Sequence, residues 1–254
     1  MAGMSVNLDK RKINEIEHGK QISNGSEGIW GWSTASGKKR SARRAELLIS
    51  YGKIALGKRV LEVGCGTGIF TEKIAKTGAN ITAMDISPDL LDLAKKRLSM
   101  PNVLCELGDL ENLHFAENSF DSVVGVSILH HVNLKQSLKE IKKVLKSGGR
   151  IVFSEPNALN PQIMLQEKIP PIRKFVEKIG IYSRHEKAFS RWTARKYLKS
   201  CGFTNITIIP FDWLHPFTTV PLITLVEKIG NFLENTTLIK EFAGSLLIYA
   251  ENNK

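Results

Sequence analysis

Cysteine is scarce in this chain. Cys65, Cys105 and Cys201 are an odd number, with no CxxC pair and no other ligand-like spacing. They argue against a disulfide framework and against a zinc site, and point to a reducing compartment with no bound metal expected. Long apolar runs are missing too: no stretch of 18 apolar residues occurs, so no segment is expected to span a bilayer. Residues 1–12 are polar and lack the apolar core of a secretory signal, which adds to the expectation of a cytoplasmic protein. Aromatics make up only 7% and do not interleave with the basic runs, which disfavours a stacking surface for single-stranded nucleic acid. The GxxxxGK(S/T) pattern is absent, which argues against a P-loop nucleotide triphosphatase.

Positive charge, by contrast, is in excess. Lys and Arg number 36 against 25 Asp and Glu, a net charge of +11 over 254 residues. One reading is a set of solvated, lysine-rich helix faces. The other is attraction to an anionic partner, such as a lipid headgroup, a membrane surface, a glycan or RNA. The length fits one large α/β domain, or a domain with a smaller cap, and is ample for a core without staples.

Residues 1–37 are polar and rich in glycine and serine, with Trp30 and Trp32 among glycines. They read as a mostly irregular N-terminal arm ahead of a domain spanning 38–254. A basic helix is expected over 38–51, with Ala42, Ala45, Leu48 and Ile49 as its apolar stripe. Strands are then expected at 59–63, 80–84, 102–106, 120–126 and 150–154. Between them fall helices at 69–77, after Ser87 and Pro88, and at 134–145. The last of these is strongly periodic, with Leu134, Leu138, Ile141 and Leu145 inward and lysines outward. Strands alternating with helices imply β-α-β units and a doubly wound, mostly parallel sheet. Two segments break the rhythm, at about 155–190 and 212–241, and read as cap inserts. A helix over 193–201 and strands over 203–211 and 243–250 complete a sheet of seven strands.

The segment that carries chemistry is Gly64-Cys65-Gly66-Thr67-Gly68, directly after a buried strand. Glycines there allow unusual backbone angles and let a ligand approach the main chain. A ligand-free strand-to-helix turn would have the same glycines. What favours a nucleotide is Asp85, 21 positions after Gly64 at the end of the next strand, where such folds hold ribose hydroxyls. The dinucleotide pattern GxGxxG fails, because its third glycine position is Ile69. That failure counts against an NAD-dependent oxidoreductase.

In these residues the chain resembles the class I S-adenosylmethionine-dependent methyltransferases, nearest to the small-molecule and lipid-quinone group. Glu62-Val63-Gly64-Cys65-Gly66-Thr67-Gly68 is similar to their ExGxGxG motif, and Ala83-Met84-Asp85-Ile86-Ser87 to their second-strand acid. Leu107-Gly108-Asp109-Leu110 is similar to the segment that meets adenine. Phe120-Asp121-Ser122-Val123-Val124 resembles their fourth strand, and Leu145-Lys146-Ser147-Gly148-Gly149-Arg150 the turn into the fifth. The motifs span about residues 58–155. The resemblance implies a Rossmann-like sheet with one antiparallel strand, helical caps, and S-adenosyl-L-methionine as cofactor. It implies that Gly64, Cys65, Gly66 and Gly68 pack on the methionine part and that Glu62 organises its ammonium end. Asp85 would take the ribose, Ile86 the adenine face, Asp109 the adenine amino group and the Leu110 amide a ring nitrogen. Ser127, after the fourth strand, joins this set.

The cofactor brings the activated methyl group, so the protein mainly positions the acceptor and, where needed, supplies a base. His130 and His131 follow the fourth strand, where these enzymes approach the methyl group. They read either as acid–base groups, with His130 the better of the two, or as packing and capping residues. Trp32, Tyr182 and Arg184 are the candidates for acceptor binding, the latter two alternatively part of a solvated basic loop. Apolar residues of the second insert (Phe211, Trp213, Phe217, Leu222, Leu225, Phe232) suggest a cap core or a greasy channel. With the basic charge they favour a small-molecule or lipid-linked acceptor and a peripheral membrane contact. A tRNA methyltransferase, supported by charge alone, and a non-catalytic nucleotide-binding homologue are the competing readings.

Overall fold

The structure, a computed structural model, describes residues 9–183 and 185–253. One seven-stranded sheet is built from β1 (Arg59–Val63), β2 (Asn80–Asp85), β3 (Val103–Leu107), β4 (Phe120–Val126), β5 (Leu145–Pro156), β6 (Thr204–Phe211) and β7 (Ser245–Asn252). Their order across the sheet is β3-β2-β1-β4-β5-β7-β6, and β7 alone runs antiparallel to its neighbours β5 and β6. From β1 the chain winds outward to β3, then returns to lay β4 on the other side of β1. A crevice therefore opens beyond the carboxyl ends of β1 and β4, the place where doubly wound sheets receive ligands.

Alternation along the strands fills both faces, as a covered parallel sheet requires. Leu61, Val63, Val123 and Ile151 face α6 (Leu134–Val144) and α9 (Arg191–Ser200). Val60, Ile81, Val124 and Val152 face α3 (Ala35–Gly52) and α4 (Ile69–Ala75). The lysine-edged periodicity of α6 buries Leu138, Ile141 and Val144 almost completely. Each such side chain contributes about 1.5–3 kcal/mol. Helix α5 (Pro88–Arg97) starts at Pro88, with the Ser87 hydroxyl accepting from the Leu90 amide.

The N-terminal segment departs from expectation. It is helical rather than irregular, with α1 at Lys10–Ile22 and α2 at Ser26–Ile29, and α3 begins at Ala35 rather than 38. Caps explain this: the Asp9 carboxylate accepts from the Lys12 amide, and the Thr34 hydroxyl from the Gly37 amide. Helix α1 buries only Gly19 and Ile22 and is held mainly by charged contacts. The two inserts carry α7 (Pro161–Lys168), α8 (Pro170–Lys178) and α10 (Val220–Glu234). Strand β5 is longer than the expected 150–154, because β7 pairs with it from Gly149 to Pro156.

Candidate active site

Gly64, Gly66 and Gly68 all have positive φ (66°, 54° and 79°), the region where a side chain is strained. At Gly64 a Cβ would collide with Ile128, whereas at Gly66 it would meet nothing nearer than a Trp30 ring atom at 4.0 Å. Space over Gly66 is thus left open by the fold. The Cys65 amide donates to the Met84 carbonyl (3.0 Å), which ties the loop to β2. Asp85 then fixes the turn: its carboxylate accepts from the Gly66 amide (2.8 Å) and the Ser87 amide (2.9 Å). Burial raises the pKa of Asp85 against the pull of those two amides. Glu62 lies behind the loop, 2% exposed, and its Oε2 has no hydrogen-bond partner among the described residues. Burial, with the charge of Asp85 adding, pushes its pKa up to about 7. Burial and the same neighbouring charge hold the Cys65 thiol well above its ordinary range, so it is a filler and not a thiolate.

One cavity of about 480 Å³ covers this crevice. It brings together Gly64, Cys65, Gly66, Asp85, Ile86, Asp109, Leu110, Ser127, His130, His131, Tyr182 and Trp32. Glu62 and Gly68 do not line it. Arg184 lies outside the described residues. Helix α1 closes one side: Lys12 Nζ sits 2.6 Å from Asp109 Oδ2, and Arg11 donates to Glu111 (2.5 Å) and to the His131 carbonyl (2.6 Å). Tyr182 is buried, its hydroxyl held protonated by burial and by the charge of Glu186. Trp32 stands edge-on to Phe70 with ring centroids 5.4 Å apart.

The two histidines differ sharply. His130 Nδ1 meets Glu155 Oε2 at 2.6 Å, and Nε2 meets Glu186 Oε1 at 3.1 Å. Burial alone would lower its pKa, but those two carboxylates raise it to about 10. Against its own burial, the charge of His131 first, and then the charge and hydrogen bond of His130, hold Glu186 down at about 2. His130 is thus set between two carboxylates that favour its protonated form. Glu155 also accepts from the Ile128 and Leu129 amides (3.0 Å each), which sets the turn after β4. His131 stacks on His130 (centroids 4.2 Å apart), and its Nδ1 lies 3.0 Å from Glu15 Oε2 on α1. Among the described residues, its other ring nitrogen makes no hydrogen bond to protein. His130, His131 and Glu186 also offer donor atoms within 4.8 Å of one another, a set that a metal would accept only if His130 gave up its proton.

Sequence reasoning missed Glu15, Glu155, Glu186, Arg40 and Arg44. Glu155 had a signal, an acid at the end of a central strand like Asp85. Arg40 and Arg44 had another, two arginines four apart on one helix face. Glu15 and Glu186 gave none, because only the tertiary fold carries them to the histidines.

A family described as a methyltransferase domain matches residues 61–153. The demethylmenaquinone methyltransferase of Tropheryma whipplei is 33% identical over 167 residues, covering 60% of this chain and 69% of that protein. The mitochondrial ubiquinone biosynthesis O-methyltransferase of Schizosaccharomyces pombe is 30% identical over 154 residues, 56% of this chain and 54% of that one. Among solved structures, phosphoethanolamine N-methyltransferase 2 of Haemonchus contortus, in complex with S-adenosyl-L-methionine, shares the fold. Its TM-score is 0.66 at 16% identity, over 98% of this chain and 61% of that one. The ExGxGxG loop, the strand-end acid and these relatives agree, and the chain belongs to the class I S-adenosylmethionine-dependent methyltransferases, near the quinone methyltransferase group.

Proposed function

We propose that this enzyme transfers the methyl group in line to a hydroxyl of a lipid-linked, ring-bearing acceptor of the quinone type, with His131 taking the proton. One observation carries the reading. A single cavity runs from the glycine loop to Trp30, Trp32, Trp213 and Phe217, so cofactor and an apolar acceptor would share one enclosure. The names of the relatives, demethylmenaquinone and ubiquinone biosynthesis methyltransferases, support the acceptor class.

The residues present fit the cofactor. Open space over Gly66 and the strand-end carboxylate of Asp85, both on the cavity, are features a ribose-bearing ligand held close to the backbone would satisfy. When bound, S-adenosyl-L-methionine supplies a methyl group activated on a sulfonium. Asp85 has lone pairs left for ribose hydroxyls, and Ile86 and Leu110 give an apolar slot for adenine. Asp109, now paired with Lys12, would hold the adenine amino group. Gly64, Cys65, Gly68 and Ser127 shape the loop and its far wall, and Glu62 supports it from behind. Glu15 accepts from His131 Nδ1, which fixes the tautomer that leaves Nε2 basic. His130, already protonated, holds Glu186 and Glu155 in place. Tyr182 and Trp32 line the acceptor side and keep water out.

Residues 1–37 and the inserts at about 155–190 and 212–241 act as caps on a methyltransferase domain of 38–254. We place the protein in the cytoplasm, at the periphery of a membrane: Phe217 lines the cavity and is half exposed, and α10 starts just beyond it. No helix among the described residues is long and apolar enough to cross a membrane. The test is incubation with methyl-labelled cofactor and separated lipid and aqueous cell fractions. Label in a lipid of quinone type is the expected result; label confined to polar solutes or to RNA overturns the acceptor class.

A further inference from the structure

Outside the cofactor half of the cavity, two cations share one carboxylate. Arg44 of α3 is 3% exposed, 2.6 Å from Asp212 Oδ2, and donates to Ser245 Oγ at 2.7 Å. Arg40, one turn earlier, reaches the same Asp212 oxygen through Nε at 2.9 Å. The neighbouring acids are engaged elsewhere: Glu234 takes Arg43 in a two-pronged pair (2.9 and 2.6 Å), and Glu227 takes Lys39 (2.7 Å). This wall therefore carries one positive charge beyond what its carboxylate balances.

The surplus sits on Arg40. Among the described residues only its Nε is hydrogen-bonded to protein, and its side chain lines the cavity at 14% exposure. The Trp32 ring lies 5.2 Å from its guanidinium carbon and holds that plane in place. His215, on the same cavity, feels the charge: its pKa is lowered by burial and then by Arg40. A guanidinium with one edge braced by a carboxylate and two amino groups unused is a fork ready for a planar oxyanion.

We infer that Arg40, braced by Asp212 and stacked on Trp32, is a subsite for an oxyanion, carboxylate or phosphate, carried by the acceptor. The subsite deepens the acceptor assignment above and rests on it. Trp213 and Phe217 beside it add apolar contact, so the acceptor class narrows to an apolar or aromatic acid. The cavity is then polarised, with acids around the cationic cofactor and a surplus cation around the anionic acceptor. Such an arrangement sets the orientation of the acceptor as well as its affinity.

The test uses benzoate and phenyl phosphate against the neutral isostere benzamide, titrated calorimetrically into the full chain with and without S-adenosylhomocysteine. Wild type should bind at least one of the two anions about tenfold tighter than benzamide, the difference one charge-assisted contact carries. Which anion binds tighter separates carboxylate from phosphate. Arg40→Met should erase the preference while S-adenosylhomocysteine binding is unchanged. Arg40→Lys keeps the ion pair with Asp212, and hence the fold, but spends its charge there; it too should lose the preference. Equal binding of benzamide by wild type, or a preference that persists in either variant, overturns the subsite. Failure to bind S-adenosylhomocysteine is read separately and counts against the cofactor assignment.

Discussion

Glu62 and His130 are buried ionisable groups whose pKa values move upward for opposite reasons, and each gives the enzyme a distinct pH signature. Burial lifts Glu62 to about 7 from an ordinary value of 4.5. Below pH 4.5 both folded and unfolded chains hold that proton, so it has no effect. Between 4.5 and 7 the folded chain binds more protons, so stability falls as pH rises, by a total of about 3 kcal/mol above pH 7. Glu62→Gln should therefore melt higher than wild type at pH 8 and close to it at pH 4.5, while binding S-adenosylmethionine more weakly. Melting curves that run parallel at both pH values would falsify this account. His130 works the other way, because neighbouring carboxylates lift it from 6.5 to about 10 against burial. Its stabilisation is complete below pH 6.5 and lost as pH rises through 10. His130→Ala leaves Glu155 and Glu186 buried without their cation and should cost about 3–5 kcal/mol in a denaturant titration. His131→Ala should barely move that midpoint, yet lower kcat on the order of 10²- to 10⁴-fold. A kcat for His131→Ala close to wild type would remove it as the base.

Helix α1 shows how an element can be invisible to periodicity and still build the site. Its apolar residues are only Ile13, Ile16 and Ile22, too few for a stripe. What holds it is charge: Lys12 on Asp109, Arg11 on Glu111 and Glu15 on His131. Partly exposed ion pairs contribute little stability, so α1 should be functionally essential and structurally dispensable. Removal of residues 1–22 should lower Tm by only a few degrees but reduce kcat about 10²-fold, since His131 loses Glu15 and the cavity a wall. A large fall in Tm with kcat retained would show α1 to be core instead. In α6, by contrast, lysines and apolar residues alternate at the helical period, and that pattern alone marks which face is buried.

Across the whole molecule, legibility followed the range of the interactions. Gly64 to Gly68, Asp85 and the strand rhythm could be read because each depends on neighbours in sequence. The surroundings of His130 and His131 could not, because Glu15, Glu155 and Glu186 lie 25 to 116 positions away and decide what each imidazole pairs with. The arginine pair needed Asp212, which only the fold supplies. The surface repeats the lesson on a larger scale. Leu222, Leu225, Ile229 and Phe232 are all about half exposed or more along α10, on a chain of net charge +11. If α10 is the membrane face proposed above, it would meet an anionic bilayer by apolar burial, with the net positive charge of the chain adding attraction. The protein should co-sediment with phosphatidylcholine–phosphatidylglycerol vesicles at low salt and progressively less as salt is raised. Leu225→Glu with Phe232→Glu should abolish sedimentation and slow methylation of a lipid acceptor, while cofactor affinity stays the same. Equal sedimentation with pure phosphatidylcholine, or binding untouched by the double substitution, would mean that α10 is not the membrane face.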